Sequence, residues 1–87
     1  MYLVVVYDIR ERRVARVLKL LRRYLHWVQN SVFEGEITEG KKKEMTVALK
    51  KIIKEEEDSV LIYSFSSENA FVKTVLGVEK GAPEHFI

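Results

Sequence analysis

Tyr2-Leu3-Val4-Val5-Val6-Tyr7-Asp8 is the stretch that decides the architecture. Up to Asp8 every residue is β-branched, aromatic or leucine, the composition of a strand apolar on both faces. Tyr2, Val4, Val6 and Asp8 share one face; Leu3, Val5 and Tyr7 share the other. Such a strand is buried, with cover needed on both faces. From residue 11 the period changes. Val14, Val17, Leu18, Leu21 and Leu25 follow helical spacing and predict a helix over 11–25 with one apolar stripe. Arg12, Arg16, Lys19 and Arg23 repeat at the same spacing on another side. Asp8 and Glu11 stand three apart, the spacing of a capping box, and this pattern starts the helix there.

Moving outward, residues 27–37 return to strand composition. Asn30-Ser31 reads either as a tight turn between two short strands or as a bend within one, and Gly35 marks a bulge or a close backbone approach. Thr38 to Gly40 is a loop. A second helix is predicted over 41–57, with Met45, Ala48, Leu49, Ile52 and Ile53 as its stripe; its lysines at the start and acids at the end oppose the helix dipole. Residues 59–65 make a strand, Ser66 to Asn69 a turn or a short helical start, and 71–78 one more strand. The order strand, helix, strand, strand, helix, strand is the split β-α-β arrangement of ferredoxin-like α+β folds, here βαββαβ with an extra C-terminal strand. Residues 1–78 then form one ferredoxin-like domain including the C-terminal edge strand, and 79–87 a tail. Both helices fall on one face of the sheet. The other face has no element of the same chain left to cover it, so a homodimer through that face is the economical solution. Residues 71–78 are then placed to pair with an edge of the partner's sheet.

Eighty-seven residues suffice for one domain, near the lower limit of independent stability, although 47% of them are apolar. There is no cysteine, which excludes disulfides, zinc–thiolate centres and thiol catalysis. The first apolar run has no basic start and ends at Asp8, unlike a signal peptide or membrane span, so a cytoplasmic protein without a membrane partner is expected. Net charge is only +2, but residues 10–23 carry seven basic side chains, Arg10, Arg12, Arg13, Arg16, Lys19, Arg22 and Arg23, against Glu11 alone. Acids collect instead at Glu34, Glu36 and Glu39 and at Glu55 to Asp58. This asymmetry predicts an anionic partner for the first half of the chain.

Asp8 is the singular residue for chemistry. Two copies meeting near a two-fold axis would offer two carboxylates, enough for Mg²⁺, which keeps much of its hydration. The structural alternative is that Asp8 simply caps the first helix. The basic helix face suits phosphate oxygens, which arginine binds bidentately without reading sequence; a solvated charge run is the plainer reading. His26 and His85 lack zinc spacing, Ser31 lacks a neighbouring His and Asp, and Trp27, Phe33, Tyr63 and Phe65 fit a core or an interface better than a base-stacking role. No glycine-rich phosphate loop is present.

Val4-Val5-Val6-Tyr7-Asp8-Ile9, followed by an arginine-rich helix and by Val28-Gln29-Asn30-Ser31-Val32-Phe33-Glu34-Gly35-Glu36, resembles the signature of the CRISPR-associated protein 2 family. The joint occurrence of both motifs at this spacing is specific, and the resemblance runs along nearly the whole chain. It implies a ferredoxin-like homodimer with Asp8 as catalytic residue and Mg²⁺ ligand. It also implies a CRISPR spacer-acquisition role, either as a metal-dependent endonuclease on RNA or double-stranded DNA, or as a non-catalytic adaptor that bridges subunits of the CRISPR-associated protein 1 integrase. Arg13 resembles the family's helix arginine and joins Arg10, Arg12, Arg16, Lys19 and Arg23 as expected nucleic-acid contacts; Tyr7, Ser31 and Phe33 match the two motifs near the dimer. Trp27 departs from the pattern, standing where many members carry an arginine.

Overall fold

The computed structural model describes residues 1–66 and 72–79. The elements are β1 (Tyr2–Asp8), α1 (Glu11–Leu21), β2 (His26–Gln29), β3 (Val32–Glu36), α2 (Glu39–Ile52), β4 (Ser59–Phe65) and β5 (Val72–Gly77). They build one antiparallel sheet in the order β2-β3-β1-β4-β5. The expected ferredoxin-like α+β arrangement is therefore present. The strand most apolar on both faces, β1, lies between β3 and β4, which register opposite it as Val5↔Phe33 and Val5↔Ile62.

Leu3, Val5 and Tyr7 are buried against the helical layer with Phe33, Val60 and Ile62, under Val17, Leu20 and Leu21 of α1 and Met45 and Leu49 of α2. Burying a leucine or valine of this kind is worth roughly 1.5–3 kcal/mol each, which fixes the register of β1 against a one-residue slip. On the reverse face, Tyr2, Val4 and Val6 are only half-buried and Asp8 is exposed. Antiparallel pairing places Val32, Leu61 and Tyr63 on that same face.

Several local expectations are corrected. Asp8 is not the cap of α1: the N-cap is Arg10, whose side chain makes no capping bond. The first helix stops at Leu21, so Leu25 packs into the core from the turn that follows. The second helix runs from Glu39 to Ile52 rather than over 41–57, with Thr38 as N-cap accepting a bond from the Lys41 amide at 3.1 Å. Ile53 is already extended, which leaves Glu55 to Asp58 outside the helix. Its first turn thus carries Glu39 and its last turn Lys50 and Lys51, in accord with the dipole. Asn30-Ser31 is a turn between two strands, with Asn30 at φ 43°. The irregularity expected near Gly35 lies across the ladder, where a bulge between Trp27 and Gln29 interrupts β2. Gly35 itself pairs regularly, and a Cβ there would approach the His26 ring and the Leu25 side chain to 3.4 Å. Within the chain, β5 pairs with β4 along its whole length and ends the sheet, so its outer edge is the one that the expected pairing with a partner would use. The 66–69 turn, apart from Ser66, and the tail beyond Glu79, with His85, lie outside the described residues.

Candidate metal site and nucleic-acid interface

Asp8 ends β1 opposite Ser59, exposed on the sheet face that carries no helix. Its aspect follows from strand alternation: the three residues before it on that face are Tyr2, Val4 and Val6, so the carboxylate closes an apolar row. Glu34 and Glu36 share the face but sit opposite Val4 and Tyr2. At about 3.3 Å per residue they lie roughly 13 and 20 Å along the strand from Asp8. The fold therefore does not bring them to Asp8 within one chain. Among the described residues no group of three or more His, Asp or Glu side chains converges as a metal site. One exposed carboxylate per chain fits a hydrated Mg²⁺, which needs only one or two carboxylates and keeps several waters.

Behind Asp8 the two motifs singled out in the sequence meet. The Tyr7 amide donates to the Ser31 carbonyl at 3.0 Å, and the Tyr7 hydroxyl donates to the Asn30 carbonyl at 3.4 Å. Tyr7 and Phe33 pack as tilted rings 6.0 Å apart. Burial pushes the Tyr7 hydroxyl pKa up, against the opposing pull of Ser31 and the charge of Arg22. Phe33 is fully buried, so its part is to hold β3 against β1 rather than to touch a ligand. Trp27, opposite Phe33 on β2, is 57% exposed, and its indole N–H donates to the same Asn30 carbonyl at 3.0 Å.

The basic series divides. Arg10, Arg12, Arg16, Lys19, Arg22 and Arg23 are exposed. Arg16, Lys19 and Arg23 line a shallow groove between α1 and α2 with Lys51 facing them and Leu20, Ala48 and Ile52 as its floor. Arg12 leans toward Glu57 at 3.4 Å, an exposed pair of little energetic weight. Arg13 is different: it is 8% exposed and turned inward. Its Nε reaches Asp58 Oδ2 at 2.6 Å, and its Nη2 reaches Asp58 Oδ1 at 3.0 Å and Glu57 Oε1 at 2.7 Å. The structure places Arg13 in an internal ion-pair network, apart from the exposed arginines with which the sequence groups it.

Asp58 is the acceptor at the centre of that network. Its carboxylate also takes the backbone amides of Arg10 and Lys54, each at 2.9 Å, and its carbonyl takes the Val78 amide at 3.0 Å. Burial alone would raise the Asp58 pKa; the Arg13 bonds and the two amides outweigh it and hold the carboxyl well below the usual range. The Arg13 guanidinium is correspondingly held charged, chiefly by the Asp58 bond and then by Glu57, and Arg13 likewise lowers the Glu57 carboxyl. Asp58 thus anchors the start of α1, the turn after α2 and the end of β5, the three segments around the Asp8 end of the sheet. Sequence reasoning missed Asp58 and Glu57 by counting them in a solvated acidic run. The available signal was position: Asp58 stands immediately before β4, just ahead of the apolar run Val60-Leu61-Ile62. Lys51 was missed as well, because the helix facing α1 is visible only in three dimensions.

With this geometry in hand, comparison with known proteins is specific. The family model described as CRISPR associated protein Cas2 matches residues 1–72. A relative from Archaeoglobus fulgidus named CRISPR-associated endoribonuclease Cas2 2 is 52% identical over 80 residues, 92% of this chain and 87% of its own. The CRISPR-associated endoribonuclease Cas2 of Pyrococcus furiosus is 49% identical over 87 residues, the whole of both chains. Among solved structures, one described as the crystal structure of cas2 superposes with a TM-score of 0.73 at 50% identity, covering 94% of this chain and 92% of that one. The crystal structure of Streptococcus pyogenes Cas2 at pH 6.5 gives 0.69 at 33% identity, covering 76% and 87%. The fold, the two motifs and near-complete coverage agree: this chain belongs to the CRISPR-associated Cas2 family.

Proposed function

We propose that the protein is a Mg²⁺-dependent endoribonuclease that works as a homodimer, with Asp8 of both protomers at the dimer axis. The observation that carries this reading is an exposed carboxylate closing an otherwise apolar, half-buried row on the sheet face without helices. Pairing that face with its copy would bury Val4, Val6 and their neighbours and bring two Asp8 carboxylates toward one another. When bound, Mg²⁺ supplies charge neutralisation at the scissile phosphate and a water of lowered pKa. The chain's own part is to hold Asp8 at the end of β1, through the Tyr7–Ser31 and Tyr7–Asn30 bonds, and to offer the exposed Arg10, two residues further on, for phosphate oxygens. The relatives' names, endoribonuclease, support RNA as the substrate, and double-stranded DNA presents the same phosphodiester chemistry. Asp8→Asn should reduce Mg²⁺-dependent cleavage at least about 100-fold, the scale expected when a metal-activated nucleophile is lost. Binding of uncleaved RNA should stay within about twofold. Removal of Mg²⁺ with EDTA should match the mutant, and cleavage by Asp8→Asn at the wild-type rate would end the metal reading.

A second reading has its own observation. Arg16, Lys19 and Arg23 are exposed on the helical layer, away from the open sheet face, and stay accessible when that face is covered. They suit a dimeric adaptor that carries duplex DNA and bridges subunits of the CRISPR-associated protein 1 integrase without cleaving anything. Replacing Arg12, Arg16 and Arg23 by Glu should weaken duplex binding and flatten its salt dependence, whereas unchanged binding removes this face from the adaptor.

A further inference from the structure

The groove between α1 and α2 combines two features that a plain solvated charge run does not. Its rim is cationic: Arg16, Lys19 and Arg23 stand on one side and Lys51 on the other, and among the described residues no acid lines it. None of the four makes an ion pair among the described residues, whereas Arg12, Arg13, Lys41 and Lys73 each have a carboxylate partner. Arg23 lies over the Tyr24 ring, 5.8 Å from its centroid, which limits its freedom to swing away. The floor is aliphatic: Ala48 and Ile52 are half-buried beside the buried Leu20. An apolar centre inside a charged rim is the layout of a protein-binding surface. The small side chain of Ala48 keeps the floor low enough for another side chain to enter. Arg16 and Lys19 lie one turn apart on α1, about 4.5 Å along its axis. Acids three or four residues apart on a facing helix have the same spacing. A sugar–phosphate backbone would satisfy the cations but offers no aliphatic side chain to Ala48 and Ile52. A helix with an apolar stripe between carboxylates meets both demands, the helix-in-groove mode of recognition.

We propose that the α1–α2 groove docks an acidic amphipathic helix of a partner protein, with its apolar stripe on Ala48 and Ile52 and its carboxylates on Arg16, Lys19, Arg23 and Lys51. The inference does not rest on the endoribonuclease reading: the groove lies on the helical layer, on the other side of the sheet from Asp8. It gives to a protein the face that the adaptor reading gives to duplex DNA, and the test separates the two.

The probe is a fluorescein-labelled synthetic peptide of about 16 residues, long enough to form a helix, with leucines at i, i+3, i+4 and i+7 flanked by glutamates. Its control is a scrambled peptide of the same composition and charge. By fluorescence anisotropy the full-length protein should bind the amphipathic peptide at least about tenfold more tightly than the scrambled one. That ratio should hold from about 0.15 to about 0.5 M salt, because both peptides carry the same charge and are screened alike. Lys51→Glu, at an exposed position, should weaken the amphipathic peptide by about fivefold or more. Ala48→Gln fills the floor without changing charge. It should bring the amphipathic peptide down toward the affinity of the scrambled one and leave that of a duplex of about 20 base pairs within about twofold. Equal binding of the two peptides by the wild type overturns the proposal. So does an unchanged affinity in Lys51→Glu, whether or not Ala48→Gln keeps its melting temperature. If Ala48→Gln loses duplex and peptide alike, the groove is a nucleic-acid track and the proposal is again overturned.

Discussion

At the scale of single residues, the most consequential side chain in the molecule is one with no apparent role in the sequence. Asp58 is fully buried and fully partnered, and removing one member of a buried ion pair leaves the other charge stranded. Such breaks cost about 3–5 kcal/mol; Glu57 still holds Arg13 here, so Asp58→Asn should fall near the lower end, about 3 kcal/mol in urea unfolding at pH 7 and fixed protein concentration. The sign of the pH dependence follows from the lowered Asp58 pKa. An unfolded aspartate titrates near 3.9, so below that pH the unfolded chain binds a proton the native carboxylate refuses. The stabilisation is complete above about pH 5 and is lost as pH falls through the native value. The gap between wild type and Asp58→Asn should therefore be constant from pH 8 to 5 and shrink below pH 4; a gap that widens on acidification would contradict the network. Asp8 was legible as special because it breaks an apolar run, but its capping role was not realised, since the helix begins two residues later at a backbone held by Asp58. Arg13 and Arg12 differ in sequence only by phase, since helical spacing sets Arg13 in line with Val17 and Leu21 and Arg12 in line with Arg16 and Lys19. They are adjacent and equally charged, and the partners that hold Arg13 inward, Glu57 and Asp58, come from outside α1.

Among the elements, strands were the most legible because β-branched and aromatic runs leave little alternative: β4 was predicted over 59–65 and is found there. Helix ends were less so. Lys54 to Glu57 are good helix formers, and nothing local stops α2 before them; what stops it is the demand of Asp58 for the Lys54 amide, a tertiary contact. The end of β5 obeys the same constraint from the other side. Gly77 has φ +84°, and a Cβ there would lie inside van der Waals contact of the Asp58 carbonyl oxygen. That oxygen is already bonded to the Val78 amide. Gly77→Ala must both adopt a left-handed conformation and push β5 off Asp58, at a cost of at least about 2 kcal/mol. In a domain of this size that lowers the melting temperature by roughly 8–16 °C. Amide exchange should accelerate first along β5, while β1 and β3 keep their protection. An unchanged melting temperature would show that β5 does not depend on this junction.

For the whole molecule, the open question is the face that carries Asp8. The sequence exposed it indirectly: β1 is apolar on both sides, and two helices can cover only one. The structure bears out the uncovered face, with Val4 and Val6 half-buried and Phe65 38% exposed beside them. The C-terminal strand β5 pairs with β4 on one side and ends the sheet on the other. Side-chain burial on the open face is the part of joining two copies that is open to a direct test. Val4 lies on the open face four residues before Asp8, far enough to spare the carboxylate, so Val4→Arg should place a long charged side chain, only partly offset by Glu34 opposite it, in the interface. The variant should keep its far-UV circular dichroism, sediment as a monomer, and lose cleavage at least tenfold at concentrations where wild type is paired. Val47→Arg, on the exposed outer side of α2, serves as the control and should change neither mass nor rate. If cleavage needs two Asp8 carboxylates, raising the concentration of Val4→Arg should restore activity in step with the dimer fraction. A folded monomer that cleaves at the full rate would mean that one carboxylate suffices, and the symmetric metal site would have to be abandoned even with Asp8 essential.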